Sequence, residues 1–147
     1  MEDRIVSSLS QVARLMRRHF DERARAIGVT RPQWQVLTLV GKHEGINQGG
    51  VADLIEVEPI TVGRMVDRLQ ESGLIERRSD PADRRAWRLF LTERGRGLLG
   101  QLQPCGAATA SLALEGVSAE ERALLHDILE RMRGNLSRKS AEAVAHG

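Results

Sequence analysis

Cysteine occurs once in this chain, at position 105. A single thiol excludes an internal disulfide and any multi-cysteine zinc site, and Cys105, just after Pro104, reads as a small buried residue. No apolar run approaches the roughly 18 residues of a membrane-spanning helix. The opening Met-Glu-Asp-Arg has no secretory apolar region, so the expectation is a cytoplasmic protein. Lysine is confined to Lys42 and Lys139, and the remaining basic residues are arginines. A GC-rich genome accounts for that bias across the chain at large.

What is present describes an ordinary globular chain. Its 147 residues correspond to one domain large enough to bury a core, with 41% hydrophobic and 29% charged residues. Net charge is only +2, so any affinity for nucleic acid must come from local clustering of arginine.

Such a cluster lies in residues 58–92. Pro59 suits a first helical turn, Val62, Met65, Val66 and Leu69 form an apolar stripe, and Gly73 stops the helix. Leu74 to Ser79 and Trp87 to Leu91 are strand-like runs joined by the turn Asp-Pro-Ala-Asp-Arg-Arg. Thr61, Arg64 and Arg68 flank the stripe at spacings that share a helix face, and an α-helix fits the major groove of B-DNA. Arg77, Arg78, Arg84, Arg85 and Arg88 gather on the hairpin against only Asp80 and Asp83. Arginines at a hairpin tip suit a narrow minor groove. An amphipathic helix beside a solvated hairpin explains the stripe equally well, but not the gathering of arginines.

These residues resemble the MarR/SlyA-type winged helix-turn-helix transcription regulators. The resemblance rests on Val62-Gly63-Arg64-Met65-Val66-Asp67-Arg68-Leu69, Gly73-Leu74-Ile75-Glu76-Arg77, Asp80-Pro81-Ala82-Asp83-Arg84-Arg85 and Leu89-Phe90-Leu91-Thr92-Glu93-Arg94-Gly95, in that order. It implies a mainly α fold with a small β-hairpin wing. A dimerisation helix would span 1–28, the DNA-binding region 29–94, and further dimerisation helices and a tail 95–147, all in one structural domain. Residues 58–72 become the recognition helix and 77–91 the wing. Ile60, Thr61 and Arg64 would touch base edges, and Asp83 would orient Arg85 into the minor groove. Arg68, Arg77, Arg78, Arg84 and Arg88 would meet phosphates or brace the wing. The partners implied are a pseudo-palindromic double-stranded operator, a second copy of the chain, and a small aromatic or lipophilic effector that releases a repressor. Arg18, His19 and Trp34 are candidates to line the effector crevice, although Trp34 equally reads as core and the other two as surface.

The rest of the chain reads as helices. Ile5, Leu9, Val12, Met16, Phe20 and Ile27 mark an amphipathic helix ended by Gly28, and Thr30 with Gln33 forms a capping box opening the next. Trp34, Leu37 and Val40 carry that helix's stripe, with Gly41 and Gly45 bracketing its end. Asn47 is an N-cap for a short helix that Gly49-Gly50 should fray or delay. Thr92 caps a long helix in which Pro104 and Gly106 predict a kink or break, and Ser118 with Glu121 opens the last one. The tail from Ser137 reads as loosely ordered.

Other chemistry finds little support. Gly95-Arg96-Gly97-Leu98-Leu99-Gly100 matches a dinucleotide-binding pattern, but no second parallel strand follows it. His19 with Glu22, and His126 with Glu130, give two ligands each, short of a zinc site. Asp67 reads as an ion-pair partner of Arg64 or Arg68. Neither an enzyme nor a cofactor is expected. The alternative to a DNA-reading regulator is a winged-helix module for protein–protein contact without its own DNA target.

Overall fold

In a computed structural model, which describes the backbone of residues 1–146 and the side chains of residues 1–138, six helices and two strands follow in order. They are α1 (Glu2–Ala26), α2 (Arg31–Lys42), α3 (Gln48–Ile55), α4 (Pro59–Glu71), β1 (Ile75–Ser79), β2 (Trp87–Leu91), α5 (Glu93–Ala113) and α6 (Ala119–His146). The fold is mainly helical with one antiparallel hairpin, as expected. Two compact units, Met1–Ala110 and Ser111–Gly147, divide the chain within α5.

The core of the first unit is the packed face of the helix-turn-helix. Val36, Leu37 and Val40 of α2, Val51 and Ala52 of α3, and Val62, Val66 and Leu69 of α4 close against Leu74, Ile75, Leu89 and Leu91. The alternation of buried Leu89 and Leu91 along β2 follows from the two-residue period of a strand with one face on the core. The hairpin pairs Ile75 with Leu91 through to Ser79 with Trp87. Its outer edge is not bare, because Leu89 donates to the Ile46 carbonyl and accepts from the Gly45 amide.

The caps form at the positions the sequence indicates. The Thr30 amide donates to Gln33 Oε1 at 2.9 Å, and the Gly50 amide to Asn47 Oδ1 at 2.7 Å. In the second unit Ser118 and Glu121 exchange both bonds of a capping box, holding the Glu121 carboxyl below its usual range. Thr92 Oγ1 accepts from the Gly95 amide and donates to the Gly73 carbonyl, tying α5 to the end of α4.

Several expectations are corrected. α5 runs unbroken through Pro104, since one lost hydrogen bond is minor in a 21-residue helix whose Leu98, Leu99 and Leu102 pack inward. α3 starts at Gln48 and includes Gly49 and Gly50, because the Asn47 cap satisfies its first turn. α2 does end between Gly41 and Gly45, at Lys42, and a Cβ on Gly41 would stand 2.6 Å from Leu99 Cδ2. Cys105 is half-buried. α6 continues to His146 through the segment expected to be loosely ordered, while Gly147 and the side chains of 139–147 lie outside the described residues.

α1 is held at its C-terminal end. Asp21 accepts from Arg31 Nε at 2.6 Å and from Trp34 Nε1 at 2.7 Å, and the Trp34 ring meets Phe20 edge-on at 4.7 Å. The first turns have no such partner: Ile5, Val6, Leu9, Val12, Leu15 and Met16 are all exposed. In the second unit, Leu124, Leu125, Ile128, Leu129 and Leu136 of α6 are also exposed.

Two predictions follow from this packing. At Gly95 a Cβ would lie 2.1 Å from the Leu74 carbonyl oxygen, whereas at Gly97 it would meet nothing within 4 Å. Urea unfolding should show Gly95→Ala destabilised by about 1–3 kcal/mol and Gly97→Ala stabilised by about 0.5–1 kcal/mol. Burial alone would raise the Asp21 carboxyl, but the hydrogen bonds and charge of Arg31 and the Trp34 bond outweigh it, so it lies below the usual 3.8. A lowered pKa contributes stability above the ordinary value, lost as pH falls through the folded one. Between about pH 5 and pH 2 the wild type should therefore lose more stability than Asp21→Asn, and parallel acid profiles would refute that role.

Candidate nucleic-acid interface

The interface begins with the helix-turn-helix. α3 ends at Glu56, whose φ of 56° places a non-glycine residue in the left-handed region and turns the chain sharply. Pro59 then opens α4 at a position where its missing amide costs nothing. With about 100° between successive residues, Val62, Met65, Val66 and Leu69 turn to the core, which leaves Ile60, Thr61, Arg64 and Arg68 sharing the opposite face. All four are exposed, Ile60 at 68%, and among the described residues neither Arg64 nor Arg68 has a side-chain partner. The helix thus presents two uncommitted cations beside one apolar and one hydroxyl side chain.

The wing divides its arginines by sheet face. Arg77 points toward α3 and α4 and is the junction of all three elements. Its guanidinium donates to Gln48 Oε1 at 2.8 Å, Asp67 Oδ1 at 2.5 Å, Gln70 Oε1 at 3.0 Å and the Gly63 carbonyl at 3.1 Å. With its side chain only 16% exposed and four of its five N–H donors engaged, Arg77 braces the wing. Asp67 therefore pairs with Arg77, not with Arg64 or Arg68 as spacing along the helix indicated. Arg78 and Arg88 lie on the other face. Arg78 sits 4.1 Å above the Phe90 ring and 3.4 Å from Glu76, while Arg88 Nε donates to the Gly45 carbonyl at 3.3 Å.

At the tip the order is built by aspartates. Asp80 Oδ1 accepts from the Ala82 amide at 2.9 Å and Asp83 Oδ1 from the Arg85 amide at 3.0 Å, two turns in which a side chain stands in for backbone. The Asp80 amide closes the loop onto the Ala86 carbonyl at 3.2 Å. Asp83 thus positions Arg85 through its backbone and leaves its guanidinium unengaged. Arg84 and Arg85 are both exposed, and neither has a side-chain partner among the described residues.

A second feature lies within the same unit. A cavity of about 460 Å³ opens between α1, α2 and α5, walled by Phe20, Trp34, Gly41, Leu99 and Leu102, with Thr38, Lys42 and Gln103 as its polar groups. Trp34 lines it. Arg18 and His19 do not: both are exposed on α1, and Arg18 lies 3.8 Å from Glu22. Lys42 and Gln103 went unnoticed in the sequence because the cavity joins residues far apart along the chain. Among the described residues no group of three His, Cys, Asp or Glu side chains is placed to hold a metal, and no helix is long and apolar enough to cross a membrane.

Removing the Arg77 junction should loosen the wing. Arg77→Met keeps the aliphatic stem and deletes the donors, so thermal or urea unfolding should show a loss of about 1–3 kcal/mol. Arg84→Met, at the free tip, should leave stability within about 0.5 kcal/mol of wild type; equal losses at the two positions would contradict the division of labour.

Comparison with known proteins agrees with this geometry. A family model described as the MarR family matches residues 29–87, which span α2, α3, α4 and the hairpin up to the start of β2. The solved structure of the transcriptional regulator SlyA is similar at 30% identity over 92% of this chain and 95% of that one, with a TM-score of 0.77. A MarR transcriptional regulator from Methanosarcina mazei Go1 superposes with a TM-score of 0.82 at 24% identity, covering 92% of this chain and 98% of its own. A mutant MarR from E. coli complexed with operator DNA has a TM-score of 0.73 at 23% identity over 87% of this chain and 92% of that one. With its helix-turn-helix, its braced hairpin and a 30% identical relative matched along nearly its whole length, the chain belongs to the MarR/SlyA family of winged helix-turn-helix transcription regulators.

Proposed function

We propose that this protein is a homodimeric, DNA-binding transcription regulator that reads a pseudo-palindromic operator and acts as a repressor released by a small aromatic or lipophilic ligand. The observation that carries the reading is the contrast between engaged and free arginines. Arg77, Arg78 and Arg88 are committed inside the wing, whereas Arg64 and Arg68 on α4 and Arg84 and Arg85 at the tip stand exposed without partners among the described residues. Four uncommitted cations on two separately braced elements match a duplex in which a helix occupies the major groove and a hairpin tip the adjacent minor groove. The operator complex of E. coli MarR, a protein of the same fold, supports the assignment.

Ile60, Thr61 and Arg64 are the residues for base edges, Arg68 and Arg84 for phosphates, and Arg85 for the minor groove. Dimerisation is supported by the apolar residues that α1 exposes over its first turns and, separately, by those along α6. Two recognition helices about 34 Å apart would then meet successive major-groove faces. The cavity between α1, α2 and α5 is the place for the effector. Its apolar wall suits an aromatic or lipophilic body, and Lys42 suits an anionic group. Because α1 forms one of its sides, a ligand there would shift α1 against the helix-turn-helix and so change the spacing of the recognition helices.

Fluorescence anisotropy against the DNA upstream of the protein's own gene and against a scrambled duplex, over a salt series, tests the reading. Wild type should bind in a sequence-dependent manner, and Arg85→Ala should lose about 1–3 kcal/mol and reduce the slope of log affinity against log salt by about 0.9. A folded Arg85→Ala protein that binds as wild type does would remove the minor-groove role. No salt-dependent affinity for any duplex, including those from a genome-wide selection, would leave the protein–protein interaction module as the reading.

A further inference from the structure

We propose that Trp87 is a DNA-backbone contact, its indole packing on a deoxyribose between the two grooves with Nε1–H donating to the adjoining phosphate oxygen. The proposal rests on the DNA-binding reading above. Residues directly opposite one another in an antiparallel pair share a sheet face, and the register sets Ser79 against Trp87, Arg77 against Leu89 and Ile75 against Leu91. Trp87 therefore stands on the Arg77 face, the one turned toward α3 and α4, at its open end and two residues from the free Arg85. Arg78, Phe90 and Arg88 occupy the opposite face.

A single exposed apolar side chain is ordinary, so the weight falls on what surrounds this one. The chain has four aromatic rings, and three of them are engaged: Phe20 and Trp34 with each other, and Phe90 under Arg78. Trp87 remains 47% exposed, without an aromatic or cationic partner among the described residues. The Trp34 Nε1–H is bound to Asp21, whereas no acceptor meets that of Trp87 among the described residues. An indole with a flat apolar body and one outward donor matches a sugar beside a phosphate. Arg77, the one strand arginine on this face, is already committed to the junction, so Trp87, with the small Ser79 opposite it, is the large strand side chain that remains available to the backbone between α4 and the tip.

A tryptophan contact to the backbone differs from an arginine contact in two measurable ways. It displaces no counterion, and it carries no sequence information. Trp87→Phe should therefore bind roughly tenfold more weakly to the operator and to a scrambled duplex alike, with the salt slope of wild type. Trp87→Tyr, which restores a hydroxyl donor, should recover most of that affinity, and matched melting temperatures would exclude a folding defect. Duplex addition should change the tryptophan emission of wild type and leave that of Trp87→Phe unchanged, with Trp34 still present as the internal reference. Wild-type affinity in Trp87→Phe, or an emission change that survives in it, overturns the proposal while leaving the DNA-binding reading intact. Absence of duplex binding by wild type overturns both, and the two failures are distinguished by the behaviour of wild type alone.

Discussion

The Arg77 guanidinium is the interaction on which the rest of the winged unit depends. It is the point where β1, α3 and α4 meet, and it fills four acceptors with geometry that only a planar, multi-donor group provides. Because one of those acceptors is the Gly63 carbonyl in the middle of α4, the angle between helix and hairpin is set by hydrogen bonds as well as by hydrophobic contact. A wing hinged only on Ile75, Leu89 and Leu91 would be free to rock, since apolar contact is non-directional. The proposed contact with adjacent grooves of one duplex requires a fixed mutual orientation of the two elements, and this partly buried polar junction supplies it.

The same logic sorts the remaining charges. A net charge of +2 gives no general attraction to DNA, so the position of each arginine matters more than its number. Those on the back of the hairpin are stacked on Phe90 or bonded to the Gly45 carbonyl, and Arg96 pairs with Glu44 at 3.2 Å. Within the helix-turn-helix and wing, and among the described residues, the guanidinium groups without a partner are those on the exposed face of α4 and at a tip whose backbone Asp80 and Asp83 hold in place. Rigid backbone under a free side chain is the arrangement that limits the entropy lost on binding.

α1 is divided in a comparable way. Its C-terminal turns are docked by Asp21, Phe20 and Ala24, whereas its N-terminal turns carry apolar residues that no part of the described chain covers. The cavity opens beside the docked end, against Phe20 and Trp34. The same two rings that secure α1 thus form part of the cavity wall. Arg18 and His19 lie outside this cavity, exposed on α1 one or two residues from the Phe20 ring that lines it.

What the sequence determined by itself was local, although its helix-breaking signals at Gly49-Gly50 and Pro104 were overridden. Caps at Thr30, Asn47, Thr92 and Ser118, the apolar period of α4, the turn chemistry of Asp80 to Asp83 and the order of the elements all depend on residues within a few positions of one another. Local patterns also gave the exposed face of α4 and the free tip arginines. Tertiary structure alone decided that Arg77 is committed, since it finds its partners 29 residues away at Gln48 and up to 14 residues away in α4. It likewise decided that Gly41 and Gly95 are close-packing positions, that Asp21 is a buried anchor, and that Lys42 and Gln103 share a cavity. The physical reason is common to all of these: a hydrogen bond or a steric contact is made with whatever the fold brings within a few ångströms, and separation along the chain carries almost no record of that.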